Sequence, residues 1–262
     1  MKIGFIGGGN MASALIGGLI ACGKSASDIT VSELDANKRK LWSEKGVNTT
    51  ADSRELESSC DLIVFAVKPN VIASVLDEMQ GFSSKIYLSI AAGVSLSFLE
   101  EKLGCDKKIV RAMPNTPAQV GCGMTVITPN KNLSKAEVEE VSKILSGVGE
   151  TEIMPEKFMN IATALHGSSP AYIYMLIDAM ADAGVSYGLT KAQALKLSAK
   201  AVEGSAKMVL ETNIHPEVLK DNVCSPGGTT ISAVCDLEKN GFRSVIQSAV
   251  RACVEKAEKM QK

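Results

Sequence analysis

The sequence predicts an α/β fold over its first half and an all-helical fold over its second. Three observations carry this reading. The chain opens on a strand, a glycine turn and a helix. Short apolar runs then alternate with helix-period segments as far as Pro155. From Glu156 onward Ala, Met and Leu recur at helical spacing. Strand–helix alternation implies a doubly wound sheet of the Rossmann type. The expected domains are a dinucleotide-binding unit at 1–155 and a helical unit at 156–262.

The first element is the most telling. Ile3 to Ile6 reads as a strand, Gly7 to Gly9 as a tight turn, and Asn10 to Ile20 as a helix. Gly7 permits the turn, Gly9 lets a pyrophosphate approach the backbone, and small Ala12 lets helix and strand pack. Exposed N–H groups at the helix start, with the helix dipole behind them, favour phosphate. Gly7, Gly9, Asn10 and Met11 are therefore candidate cofactor residues. A merely structural glycine turn is the bland alternative. The segment Lys2 to Cys22 also has the outline of an export signal, but glycines and Asn10 interrupt its apolar run, and cleavage would remove the turn.

Asp28 to Glu33 forms the second predicted strand, and Ala36 to Lys45 a polar helix. Glu33 closes that strand, where a carboxylate accepts hydrogen bonds from a ribose diol and repels a 2′-phosphate. Lys38 and Arg39 stand near enough to reach a phosphate. Asp61 to Val67 is a continuous apolar run, as in a parallel strand buried on both faces. Lys85 to Ile90 and Lys108 to Met113 repeat it. Ser134 and Glu137 form a capping box that opens another helix. In the second half, breaks at Gly167–Pro170, Gly188, His215–Pro216 and Pro226–Gly228 separate the helices. A face of Met175, Ala179 and Ala183 reads as core or subunit contact rather than a ligand box.

Ligands of doubly wound sheets lie beyond the carboxyl ends of the strands. Three unusual segments fall there: Ala66-Val67-Lys68-Pro69, Ala91-Ala92-Gly93, and Arg111 to Pro117. Lys68 faces a pyrophosphate or is simply solvated. Asn115 holds the nicotinamide region or caps a turn. Three such segments at successive strand ends point to one cofactor cleft that includes Ala66, Val67, Lys68, Pro69, Ala92, Gly93 and Asn115.

Composition narrows the function. A chain of 262 residues makes one large or two ordinary domains. With 28 basic and 29 acidic residues it carries no nucleic-acid footprint. Seven cysteines without a C-x-x-C pair, and only His166 and His215, leave no metal site in view. The thiols suit a reducing cytoplasm. No stretch approaches the roughly 18 apolar residues of a membrane span.

The chain resembles the pyrroline-5-carboxylate reductase family. The matching segments are GGGNMA at 7–12, VKP at 67–69, AAG at 91–93, MPNTP at 113–117 and SPAY at 169–172. LKDNVCSPGGTT at 219–230, followed by Gly241-Phe242-Arg243, is the most specific. The resemblance implies reduction of the imine of Δ1-pyrroline-5-carboxylate to L-proline with NADPH or NADH. It also implies a helical domain that interleaves with a partner subunit, hence a dimer or higher homo-oligomer. It places the substrate on Ser225, Gly228, Thr229 and Thr230. Glycines before a helix leave N–H groups free for a carboxylate, and Thr230 is the expected contact to the imine nitrogen. An ordinary capped helix start explains a threonine but gives the two glycines no role.

Two departures stand out. The family usually has Ser at the position of His166 and Gly at that of Ser169. His166 reads as helix-end packing or a local hydrogen bond rather than a catalytic acid. Glu33 leans the cofactor towards NADH, whereas the family commonly uses NADPH. Two rival functions remain. A β-hydroxyacid or general imine reductase would share the plan, but Lys191, Lys196 and Lys200 lie in no matching motif. A dinucleotide-binding redox sensor would not need the 225–230 segment.

Overall fold

The computed structural model describes residues 1–260. The first half folds as eight strands in one sheet. In chain order they are β1 (Ile3–Ile6), β2 (Ile29–Ser32), β3 (Asn48–Thr50), β4 (Leu62–Phe65), β5 (Ile86–Ser89), β6 (Lys108–Met113), β7 (Gly123–Pro129) and β8 (Gly149–Ile153). The order across the sheet is β3-β2-β1-β4-β5-β6-β7-β8. β6 and β7 pair antiparallel, and every other neighbouring pair is parallel. The sheet is the doubly wound one the alternation predicts, with three strands beyond those read from sequence. β3 and β8 are polar edge strands with no apolar run to mark them. β7 opens on Gly123 and closes on Pro129, which reads as turn chemistry.

Alternate side chains of the central strands enter two separate cores. Ile3, Phe5, Leu62, Val64, Ile86 and Leu88 pack on one face. Ile6, Ile63, Phe65 and Tyr87 pack on the other. Burial on both faces is why these strands are continuously apolar. The helices that cover them are α1 (Asn10–Ala21), α2 (Ala36–Glu44), α3 (Arg54–Ser59), α4 (Ile72–Asp77), α5 (Leu96–Leu103) and α6 (Lys135–Leu145). The expected capping box is present on α6: the Ser134 side chain accepts from Glu137 N–H, and the Glu137 side chain accepts from Ser134 N–H. Lys108 and this cap hold the Glu137 carboxyl down at about 2.

The remaining helices are α7 (Met159–Ala162), α8 (Ser169–Ser186), α9 (Lys191–Thr212), α10 (Pro216–Val223), α11 (Thr229–Lys239) and α12 (Phe242–Met260). A π-helical turn, Thr163–Gly167, separates α7 from α8. The chain divides into two compact units. One is Met1–Ser168 together with the end of α12 from Cys253; the other is Ser169–Ala252. Of the helical domain expected at 156–262, Gln261 and Lys262 lie outside the described residues.

The second unit has little core of its own. Ala181, Ala194 and Ser198 are its buried residues. Met175 is 73% exposed, Leu197 63% and Leu210 68%. The Met175, Ala179 and Ala183 face is thus not core within one chain. Among the described residues no helix is long and apolar enough to cross a membrane. All seven cysteines are free.

One buried polar cluster was not apparent in the sequence. The Glu57 side chain on α3 accepts from Gln80 N–H at 2.8 Å, Gly81 N–H at 3.0 Å and the Tyr87 hydroxyl at 2.7 Å. Burial, and then the Glu57 carboxyl, push the Tyr87 hydroxyl well above its usual range. Removing Glu57 strands two amides and a phenol in the interior. Glu57→Ala is expected to lower unfolding free energy by about 2–4 kcal/mol, and Tyr87→Phe by about 1–2 kcal/mol. Urea unfolding measures both; a Glu57→Ala loss below about 0.5 kcal/mol would contradict this accounting.

Candidate active site

In the first unit the parallel strands deliver their carboxyl ends to one edge of the sheet. Ile6, Phe65 and Ser89 are level across it, with Arg111 of β6 alongside. The loops that follow carry Gly7–Met11, Ala66–Pro69, Ala91–Gly93 and Asn115. The sequence-predicted cofactor segments are therefore brought to a common edge.

The glycine turn is built by backbone approach. Gly7 has φ +98°, and a Cβ there would lie 2.7 Å from the Ala66 carbonyl oxygen. Gly7 N–H donates to Ser32 O at 2.8 Å. Gly9 is the residue before α1; no side chain caps that helix. A Cβ on Gly9 would meet nothing within 4 Å. Uncapped amides opening on free space fit a pyrophosphate. Asn10 is exposed and Met11 half-buried at the same helix start.

Glu33 lies against this turn. Its carboxylate accepts from Gly8 N–H at 3.1 Å and Asp35 N–H at 3.2 Å, with the Lys38 ammonium 3.8 Å away. Arg39 does not stand free for a phosphate: its Nη1 donates to the Glu33 and Leu34 carbonyls at 2.6 and 2.8 Å.

The other loops are braced from below. Lys68 is exposed, and its carbonyl accepts from Val71 N–H at 2.9 Å. The buried Ser89 hydroxyl accepts from Ala91 N–H at 3.3 Å, ahead of exposed Ala92. Gly93, at φ +75°, comes so close to the end of α12 that a Cβ would lie 3.1 Å from the Met260 carbonyl oxygen. Asn115 is buried; its amide donates to the His166 carbonyl at 3.0 Å and accepts from Met124 N–H at 2.9 Å. Its side chain therefore ties the β6 loop to both β7 and the π turn.

The sequence did not reveal two supports. Ser89 carries no motif and became visible through strand register. Glu156 accepts from buried Arg111 at 2.8 Å and from Leu96 N–H at 2.8 Å, and no local pattern links it to a partner 45 residues away. His166 also departs from expectation. Its ring nitrogens are buried, and neither has a hydrogen-bond partner, so the local-bond reading fails. Burial pushes its pKa down.

In the second unit, Ser225, Gly228, Thr229 and Thr230 sit together at the start of α11. Gly228 N–H donates to Ser225 O at 3.0 Å, and Gly227 has φ +70°. With Pro226 before it, this is type II turn chemistry. A Cβ on Gly228 would fall against the Ser225 hydroxyl. The sequence reading denied the two glycines a structural role; the turn gives each one. What remains is an α11 N-terminus without a side-chain cap, with Gly228 before it and half-buried Thr230 in its first turn.

Comparisons with known proteins converge. Residues 156–260 match the family model for pyrroline-5-carboxylate reductase dimerisation. Residues 2–93 match the model for NADP oxidoreductase, coenzyme F420-dependent. The chain is 48% identical to the pyrroline-5-carboxylate reductase of Escherichia coli K12, covering 100% of this chain and 98% of that one. The structure of a pyrroline-5-carboxylate reductase from Coxiella burnetii superposes with a TM-score of 0.94 at 38% identity, covering 100% and 98% of the two chains. That of Plasmodium falciparum pyrroline carboxylate reductase with NADP bound gives 0.90 at 36%, with the same coverage.

The open space at Gly9 separates folding from binding. Gly9→Ala should change apo stability by less than about 1 kcal/mol, yet weaken NADPH and NADH binding at least about tenfold by crowding the phosphates. Thermal unfolding and cofactor fluorescence titration check the two halves. Unchanged affinity in a folded variant would remove Gly9 from the site.

Proposed function

The chain belongs to the pyrroline-5-carboxylate reductase family, and on that premise we propose which of its residues perform the reduction. The enzyme reduces the imine of Δ1-pyrroline-5-carboxylate to L-proline, with NADPH or NADH as the reductant. The observation that supports the residue assignment is that each unit contains an uncapped helix N-terminus behind a glycine turn.

The amides at the start of α1 hold the pyrophosphate, with Gly9 giving it room. Ala66 to Pro69, Ala92–Gly93 and the loop braced by Asn115 line the rest of the cofactor path. When bound, the reduced nicotinamide supplies the hydride that adds to the imine carbon. The free amides of α11 anchor the substrate carboxylate. The Thr230 hydroxyl hydrogen-bonds the ring nitrogen and sets the angle of the C=N bond. A protonated imine is already electrophilic, so alignment supplies most of what the chain must add. This accounts for a site without a conspicuous acid. Two of the three lysines of the rival hydroxyacid reading are otherwise engaged: Lys191 pairs with Asp178 and Asp182, and Lys200 with Glu203.

The helical region from 156 assembles with a second copy, as its dimerisation match and its exposed apolar faces support. A dimer is the smallest unit we assign, and the seven free thiols support a cytoplasmic setting. Thr230→Ala should lower kcat/KM for pyrroline-5-carboxylate by one to three powers of ten, about 1.4 kcal/mol per tenfold. Folding and cofactor affinity should stay near wild type. Nicotinamide absorbance follows the assay, and wild-type efficiency would exclude Thr230 from the site.

Cofactor choice rests on Glu33. Its carboxylate stands beside the turn where a ribose diol would lie, Arg39 is spent on carbonyls, and Lys38 already faces Glu33. A 2′-phosphate meets net repulsion there, screened by solvent. The enzyme should prefer NADH modestly and still accept NADPH. Glu33→Ser should raise kcat/KM for NADPH and lower it for NADH. A strong wild-type preference for NADPH that survives the substitution would overturn the assignment.

A further inference from the structure

The substrate turn, Cys224–Gly228, lies between α10 and α11, and one side chain spans its flanks. Arg243, in the first turn of α12, donates from Nε to Glu238 at 2.6 Å and from Nη2 to Glu217 at 2.8 Å. Glu217 lies in the first turn of α10 and Glu238 in the last turn of α11, each at the end remote from the turn. The guanidinium therefore joins the two helices opposite the loop they support. Among the described residues, this is the side-chain hydrogen bond that links α10 to anything beyond the loop. Lys220 adds a second cation to Glu217 at 2.7 Å. Lys220 and then Arg243 hold the Glu217 carboxyl at about 2, so the bridge stays charged at any pH near neutrality. An exposed pair is worth little, but a guanidinium shared between two carboxylates, one of them also held by a lysine, is a network with defined geometry.

We infer that Arg243 is a positioning residue for the known reaction: by bridging Glu217 and Glu238 it fixes the spread of α10 and α11, and hence the aim of the turn and of Thr230. This rests on the assignment of the substrate to that turn. The bridge touches neither substrate nor cofactor, and its loss changes the alignment of the α11 amides instead.

Steady-state kinetics of the intact enzyme test it. Arg243→Met should raise KM for pyrroline-5-carboxylate about five- to thirtyfold, with kcat lowered less. NADH affinity by fluorescence titration should stay within about twofold. Arg243→Lys, which reaches one carboxylate at a time, should recover part of the loss. Glu217→Gln should raise KM in the same sense, and the double variant should be no worse than the more damaged single variant. Unchanged KM in folded Arg243→Met overturns the inference, as does a fall in melting temperature with KM unmoved, or additive losses in the double variant. If Arg243→Met does not fold, Glu217→Gln decides from the other side of the contact. If Thr230→Ala is also silent, the substrate assignment itself has failed; if Thr230→Ala is damaged and the Arg243 variants are not, only this inference has.

Discussion

The cofactor end of the molecule depends on the approach of two backbones. Gly7 leaves β1 at φ +98°, with the Ala66 carbonyl closer than any side chain would permit. That approach lets β1 and β4 stay paired to their last residues and still turn the chain into α1. Everything downstream inherits its position from it. Gly8 N–H is left pointing at Glu33, Gly9 is left facing open space, and the first amides of α1 are left without a cap. An alanine at Gly7 would need both a strained φ and a displaced strand. The three consecutive glycines therefore serve three different constraints: conformation at the first, a hydrogen-bonded wall at the second, clearance at the third.

Much of this was legible in the sequence because the responsible forces are local or periodic. The buried strands show as apolar runs since both faces are covered. The α6 cap shows as Ser134 and Glu137 because capping spans a single turn. Elements governed by tertiary context stayed hidden. β3 and β8 are edge strands whose side chains meet water, so composition does not mark them. Glu57 looks like any surface acid, and only the fold reveals that it satisfies the chain around Gln80 and the Tyr87 hydroxyl. At the turn before α11, the sequence reading gave the two glycines no structural role, and the fold gives them one. Positive φ at Gly227 and the Ser225 hydroxyl beside Gly228 are explained by turn geometry alone. The assignment proposed for this turn rests on the uncapped helix behind it and on the family match.

His166 shows the same limit from the other side. A histidine here invites a local explanation, and none is present among the described residues. Asn115 grips its backbone while its ring finds no partner. Neutral burial fits the low pKa and explains why it makes no charge contact, yet the two bare nitrogens still carry a desolvation cost.

The nearly coreless second unit has a consequence for the cell. Apolar faces on α8, α9 and α12 remain outside within one chain, in the region that matches the dimerisation model, and self-association would cover them. Their burial free energy then contains a term in protein concentration, through mass action. Dilution would then be a denaturing condition in its own right, and a newly made subunit would need a companion before its helical unit reached full stability. A subunit damaged only at Thr230 would still be a competent companion. Synthesised alongside the intact chain, it would enter mixed assemblies and draw normal subunits into them.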